Sequence, residues 1–145
     1  FNFRVRPEIG NYNNLSSKFN VYLGGTNTEI KALTGVTNTL GEVEFEVDEL
    51  DEQKIYDIRA IIPNHLYKKK TNTSFIPNAT TTVVEVLNIL VGNLQDTDNI
   101  INSLDWSVMN NRWGTNDAGA DINKDSRVNS VDWSLMNKNW GLTGD

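Results

Sequence analysis

Apolar and polar positions alternate along several short stretches of the first half of the chain. Phe1, Phe3 and Val5 are interleaved with Asn2, Arg4 and Arg6, and Phe19, Val21 and Leu23 with Asn20 and Tyr22. Val43, Phe45 and Val47 alternate with Glu44, Glu46 and Asp48, and residues 55–62 and 83–90 are longer apolar-rich runs. A period of two places one face of a strand in a core and the other in water. Turn formers fill the gaps: Gly24-Gly25-Thr26-Asn27, Asn38-Thr39-Leu40-Gly41, Pro63-Asn64 and Pro77-Asn78. About seven short strands in roughly 88 residues predict a small all-β sandwich, its strand order open.

The period changes in the second half. Trp106, Met109 and Trp113 stand at i, i+3 and i+7, and Trp133, Met136 and Trp140 repeat that spacing. These are helical stripes and are expected to form core. Gly114 and Gly141 follow each stripe as stop signals. Asn102 with Asp105, and Asn129 with Asp132, stand three apart at each start, a variant of the capping box. The helices belong to a duplication: NSLDWSVMNNRWG (102–114) aligns with NSVDWSLMNKNWG (129–141), identical at 9 of 13 positions at an offset of 27. A short duplicated unit rarely buries its own apolar face, so the two copies are expected to pack on each other.

Composition supports a boundary between the halves. All four Trp lie in the last 40 of the 145 residues, while all four Tyr and all five Phe lie in the first 75. Residues 1–88 carry 9 basic and 11 acidic side chains; residues 89–145 carry 4 and 8, and every acid there is Asp. Two modules are therefore expected, 1–88 and 89–145. The chain has no Cys and one His, His65, which removes disulfides, thiol chemistry and most zinc or Ser-His-Asp sites. A net charge of −6 disfavours nucleic acid and favours cations. No run of about 18 apolar residues is present, so no membrane insertion is expected. The opening FNFRVRPEIG lacks an apolar h-region, which reads as no signal peptide and as a piece of a longer chain.

The 21 Asn residues supply oxygen ligands and turns, which directs attention to loops for hard metals. Ahead of the second helical segment lies DINKDSRVNSVD (121–132). Counted 1 to 12, it offers Asp121, Asn123 and Asp125 at 1, 3 and 5, the backbone carbonyl of Arg127 at 7, Asn129 at 9 and Asp132 at 12. That is the ligand spacing of an EF-hand calcium loop, with Asp for Glu at 12 and Ser126 for Gly at 6. Val128 at 8 is the apolar anchor, free to pair with its equivalent in the other loop. Counting back from Asp105 gives Asn102 at 9, the Ile100 carbonyl at 7, Asp98 at 5 and Asp96 at 3, but Leu94 at 1. A one-residue insertion with Asn93 as first ligand repairs the set. Each loop then offers three carboxylates, which suits Ca²⁺ over Mg²⁺, with two ions expected.

A calcium-type loop followed by one helix, duplicated within about 55 residues, resembles a dockerin, the plug module of cellulosomes that binds cohesin modules of scaffolding proteins. The likeness covers 89–145 and rests on the two loops, the Asp at position 12 and the paired NSxDWSxMN segments. The stretches SKFNVYLGGTNTEIKALTGVTNTLGEVEFEV and YDIRAIIPNHLYKKK resemble the X-module found before type II dockerins, and are similar to the carboxypeptidase regulatory-like, prealbumin-like β-sandwich. The resemblance implies a non-catalytic, calcium-dependent interaction module that is secreted or extracellular, on the cell surface or in a cellulosome. Its β-module would support the dockerin. It implies cohesin contacts at loop positions 10 and 11 and along the helices: Ser103, Leu104, Ser107, Val108, Asn111 and Arg112 in one copy, and Ser130, Val131, Ser134, Leu135 and Lys138 in the other. Near-identity of the copies allows two binding orientations; a β-module that also touches the cohesin, and Asn111 against Lys138, favour one.

Other readings are weaker. His65 reads as a turn residue, Lys68-Lys69-Lys70 as a solvated strand end, and the acidic run 42–52 as a strand with a wet face, so no catalytic constellation is expected. A calcium sensor would need a Met-rich groove, and only Met109 and Met136 are present. A carbohydrate-binding or cell-surface adhesion module remains the alternative, but its aromatics would line a flat β-face.

Overall fold

The computed structural model describes residues 2–8, 14–45, 50–51, 53–74 and 83–145. Seven strands and two helices occur in it: β1 (Asn2–Pro7), β2 (Ser16–Leu23), β3 (Glu29–Val36), β4 (Glu42–Glu44), β5 (Ile55–Ile61), β6 (Lys68–Ser74), β7 (Val83–Ile89), α1 (Ser103–Asn111) and α2 (Ser130–Lys138). Phe1, Glu46, Val47, Asp48 and the Pro77-Asn78 turn lie outside the described residues.

The strands form two sheets, ordered β4-β1-β7 and β3-β2-β5-β6. β1 runs antiparallel to β4 and parallel to β7, while every pairing of the second sheet is antiparallel. The expected sandwich core forms between the sheets. Phe3, Val5, Val43, Val84, Val86 and Ile89 face Phe19, Val21, Leu33, Tyr56, Ile58, Ala60 and Ile62. Phe3, Phe19 and Phe45 meet as a triad with ring centroids 5.0–5.8 Å apart. Gly35 is required there, because a Cβ at that position would lie 2.3 Å from Val43 Cγ1.

Alternation fails as a guide in two strands. On interior strand β2 the outward-facing Asn20 and Tyr22 are buried as well as Phe19 and Val21. Asn20 donates to Glu29 at 2.6 Å, and the Arg59 guanidinium and Lys69 ammonium lie 5.2 and 5.7 Å from the Tyr22 ring centre. Strand β6, KKKTNTS, has no apolar period; it is an edge strand held by β5 and by Lys69, which pairs with the buried Asp57 at 3.1 Å. The lysines thus open a strand rather than end one.

A second core joins the two helices to the sandwich: Leu66, Val91, Ile101, Met109, Ala120, Ile122, Val128 and Met136. The duplicated units pack on each other, as expected. The Trp residues, however, are not its centre. Met109 and Met136 are fully buried, while Trp113 and Trp140 are 43% and 42% exposed. Each helix has only nine residues and ends before its second Trp. The four indoles make a row across both copies, Trp113–Trp106–Trp133–Trp140, with centroid separations of 5.7, 4.5 and 5.5 Å. Neighbouring planes are tilted by 59–72°, so the row is not a flat platform. No helix among the described residues is long and apolar enough to cross a membrane.

Candidate functional site

Both helix starts are built alike. Asn102 Oδ1 accepts from the Leu104 amide at 2.7 Å, while Asp105 Oδ2 accepts from the Asn102 amide at 2.8 Å. Asn129 and Asp132 repeat the arrangement, at 2.7 Å from the Val131 amide and 2.8 Å from the Asn129 amide. The other oxygen of each Asp reaches back into its loop: Asp105 Oδ1 accepts from the Gln95 amide at 2.8 Å, and Asp132 Oδ1 from the Ile122 amide at 2.7 Å and the Asn123 amide at 3.1 Å. One carboxylate therefore fixes both the helix cap and the loop start. Asp105 and Asp132 are fully buried and Asp121 nearly so, yet among the described residues none of the three is paired with Lys or Arg. Buried negative charge held only by amide dipoles is costly unless a cation offsets it.

The second loop curls as its spacing predicts. Asp121 accepts from the amides of Asp125 and Ser126 at 3.2 and 2.8 Å, Asn123 Oδ1 from the Asp125 amide at 3.1 Å, and Asp125 Oδ1 from the Arg127 amide at 2.9 Å. Asn123 Nδ2 also donates to Asp125 Oδ2 at 2.9 Å, and this bond, with the Arg127 amide, holds the Asp125 carboxyl below its ordinary pKa. The loop position that EF-hands give to Gly is left-handed in both copies, with φ of 73° at Ser126 and 53° at Asn99. Asn tolerates that region; Ser adopts it only where the loop enforces it. Among the described residues no three Asp, Glu, His or Cys side chains gather closely enough to hold an ion alone, so any ion here requires Asn and backbone carbonyl oxygens. The ligand set of sequence positions 1, 3, 5, 7 and 12 supplies them in Asn123 and the carbonyl of Arg127.

The first loop is irregular, as its spacing predicts. Leu94 turns onto the second core and Asn93 is buried, with an Oδ1 that has no hydrogen-bond partner. Its Nδ2 donates to the His65 carbonyl at 3.3 Å. Asp98 accepts from the Ile100 amide at 3.1 Å and from Asn102 Nδ2 at 2.7 Å. Asp96 Oδ1 accepts from the Tyr67 hydroxyl at 2.5 Å, and burial together with that carboxylate pushes the Tyr67 pKa up to about 12.

The loops do not pair through their anchors. Val128 exchanges backbone bonds with Gly114 and Thr115, both at 2.8 Å, while Ile101 bonds Gly141 at 2.8 Å and Leu142 at 3.0 Å. Each loop is stitched to the residues that follow the opposite helix, because the two units pack head to tail. The buried side chains of Ile101 and Val128 still share one core.

The surface residues divide by exposure. Ser103, Leu104, Ser107, Asn111, Ser130, Val131 and Ser134 are exposed, and Val108, Arg112 and Leu135 are half-buried. Arg112 pairs with Asp117 at 3.4 Å. Lys138 is committed elsewhere: its ammonium and Asn139 Nδ2 both hold Glu8 of the β-module, Asn139 at 2.6 Å. Burial would raise the Glu8 pKa, but those two hydrogen bonds outweigh it and hold the carboxyl low.

The sequence shows residues 89–93 running straight into the first loop with no linker, but it does not reveal the contacts that join the modules there. The Leu66 amide donates to the Leu90 carbonyl at 2.8 Å, Gly92 (φ 124°) to the Asn64 carbonyl at 2.9 Å, and His65 bridges Val91. His65 is thus a junction residue rather than a plain turn residue, and burial holds its pKa down. The Asp145 amide donates to the Tyr67 carbonyl at 3.0 Å, and its carboxylate accepts from the Lys69 amide at 2.9 Å and pairs with Lys68 at 3.0 Å. No linker separates the modules.

Residues 95–139 match the dockerin type I domain. The matched segment includes most of both loops and both helices. The chain is similar in fold to one chain in each of two crystal structures of mutant type II cohesin-X-dockerin complexes from Acetivibrio cellulolyticus. One, altered at its C-terminal interface, shares 19% identity with a TM-score of 0.64, covering 98% of this chain and 95% of that one. The other, altered at its N-terminal interface, shares 17% identity with a TM-score of 0.67, covering 98% and 96%. The chain therefore shares its fold with those structures, a β-sandwich followed directly by two loop–helix units. No curated protein sequence matches it.

Proposed function

We propose that this chain is a non-catalytic, calcium-dependent interaction module whose dockerin half, residues 89–145, binds a cohesin, with residues 1–88 as its structural support. One observation carries the reading. Two loops with calcium-ligand spacing each end in a fully buried Asp that caps a helix and, among the described residues, lacks a cationic partner. The dockerin match over 95–139 and the cohesin complexes of similar fold supply the partner class. Two calcium ions fit, one held by Asp121, Asn123, Asp125, the Arg127 carbonyl and Asp132. The other is held by Asn93, Asp96, Asp98, the Ile100 carbonyl and Asp105. The orphaned Asn93 Oδ1 supports its place in the second set. Such ions would neutralise the buried carboxylates and join loop to helix, so that metal binding becomes folding free energy.

The contact surface is formed by exposed Ser103, Leu104 and Ser107 with half-buried Val108, and by its copy, exposed Ser130, Val131 and Ser134 with half-buried Leu135, apolar anchors among small hydroxyls. The parent works outside the cell, where cellulosomes assemble. The tilted indole row argues against the carbohydrate alternative. Isothermal titration of the chain against a panel of type I and type II cohesins, with calcium and with chelator, tests the proposal. Binding to one class, abolished by chelator, is expected. Binding to soluble polysaccharide but to no cohesin would overturn it.

A further inference from the structure

We infer that the β-module completes the first calcium loop, with Tyr67 a positioning residue for ligand Asp96, so that the two sites of one duplication differ in affinity for a reason outside the duplication. This rests on the calcium reading above. The second loop is braced from within: the side-chain hydrogen bonds of Asp121, Asn123, Asp125, Asn129 and Asp132 all close inside residues 121–132. The first loop is held from outside at three places. The Tyr67 hydroxyl donates to Asp96 at 2.5 Å, the Tyr67 amide to Asn99 Oδ1 at 2.8 Å, and Asn93 Nδ2 donates to the His65 carbonyl at 3.3 Å. Asn99 is the left-handed residue at the loop's tight turn, and its own carbonyl takes the Gly144 amide at 3.0 Å.

The insertion explains the need. In the second loop the first ligand, Asp121, braces the turn by accepting from the amides of Asp125 and Ser126. In the first loop Leu94 occupies that register and packs on the core instead. The β-module backbone and hydroxyl at 65–67 take over the bracing. A carboxylate ligand has two oxygens, and a hydrogen bond to one orients the other; without it the loop must be ordered at the moment of binding.

Calcium titration of the intact, chelator-stripped chain, in parallel with Tyr67→Phe and Asn99→Ala, tests this. Asp121→Ala, which removes the second site, assigns the events. Two events are expected in the parent. Tyr67→Phe should weaken one about tenfold, as loss of an outer hydrogen bond to a ligand typically does, and the same shift should appear in the Asp121→Ala background. The other event should keep its affinity. Unaltered affinities in both Tyr67→Phe and Asn99→Ala would overturn the inference and leave calcium binding intact. So would equal weakening of both sites, which marks a general stability effect. Absence of any calcium binding by the parent would overturn the calcium reading itself and this inference with it.

Discussion

Replacing Glu8 by Ala should detach the end of α2 from the β-module. Lys138 is 66% exposed, so its ion pair with Glu8 contributes at most about 1 kcal/mol. Asn139 decides the magnitude. It is only 3% exposed, and its Nδ2 uses both hydrogens, one on Glu8 at 2.6 Å and one on the Val91 carbonyl at 3.0 Å. Removing the carboxylate strands one buried donor, which costs about 1–3 kcal/mol. The total for Glu8→Ala is about 2 kcal/mol, a fall of about 5 °C in melting temperature for a chain of this size. Glu8→Gln keeps an acceptor for Asn139 and loses only the ion pair, so it should fall by no more than about 2 °C. Near-UV dichroism follows this cleanly, because all four Trp lie in residues 106–140. The pH dependence has a fixed sign. Glu8 is held below the ordinary carboxylate range, so its contribution is complete above that range and fades as pH falls through the lowered value. The gap between parent and Glu8→Ala should therefore close in acid. Equal melting of parent and both variants, or equal loss in the Ala and Gln variants, would refute the assignment of the energy to the buried amide.

Chelation of the intact chain should abolish the Trp near-UV signal while the Tyr and Phe signals of the sandwich persist, since the second core is small and its loops carry buried carboxylates with no Lys or Arg partner among the described residues; a Trp signal unchanged in excess chelator would contradict this. Leu104→Asp with Val108→Asp, Val131→Asp with Leu135→Asp, and all four together separate the binding faces in a cohesin pull-down. Loss in one double variant marks a single orientation, loss only in the quadruple variant marks two, and full binding by the quadruple variant places the surface elsewhere.

The parts of this molecule that could be read from the sequence are those whose chemistry is local. Caps at Asn102 and Asn129, the loop of 121–132 and the glycine stops depend on residues a few positions apart, and they stand where the spacing puts them. The sandwich core was legible because Phe3, Phe19 and Val43 carry a period of two. Strand β6 was not, because an edge strand of Lys, Thr and Asn needs only backbone pairing and one buried Thr73. The indoles misled for a related reason. A helical stripe gives the direction of a side chain but not how far the partner helix covers it, and two Met fill the space instead. Glu8 with Asn139, and Tyr67 with Asp96, are 131 and 29 positions apart and leave no pattern at all.

The duplication is nearly symmetric, and its surroundings are not. Val128 with Gly114 and Thr115 mirrors Ile101 with Gly141 and Leu142, so a half-turn exchanges the faces of α1 and α2. The β-module meets one member of each equivalent pair. It takes Lys138 and Asn139, where the other copy has Asn111 and Arg112, and Asp96 and Asn99, where the other copy has Asn123 and Ser126. A partner that touched the helices alone would meet two similar faces. One that also reached the β-module would lose that contact on rotation, and a contact worth about 1.4 kcal/mol already imposes a tenfold preference. The sequence offers Lys138 as the cation that distinguishes the α2 face, but Glu8 holds it. With Lys138 held, the cation proposed to serve a partner is Arg112 beside the end of α1, half-buried and paired with half-buried Asp117 at 3.4 Å.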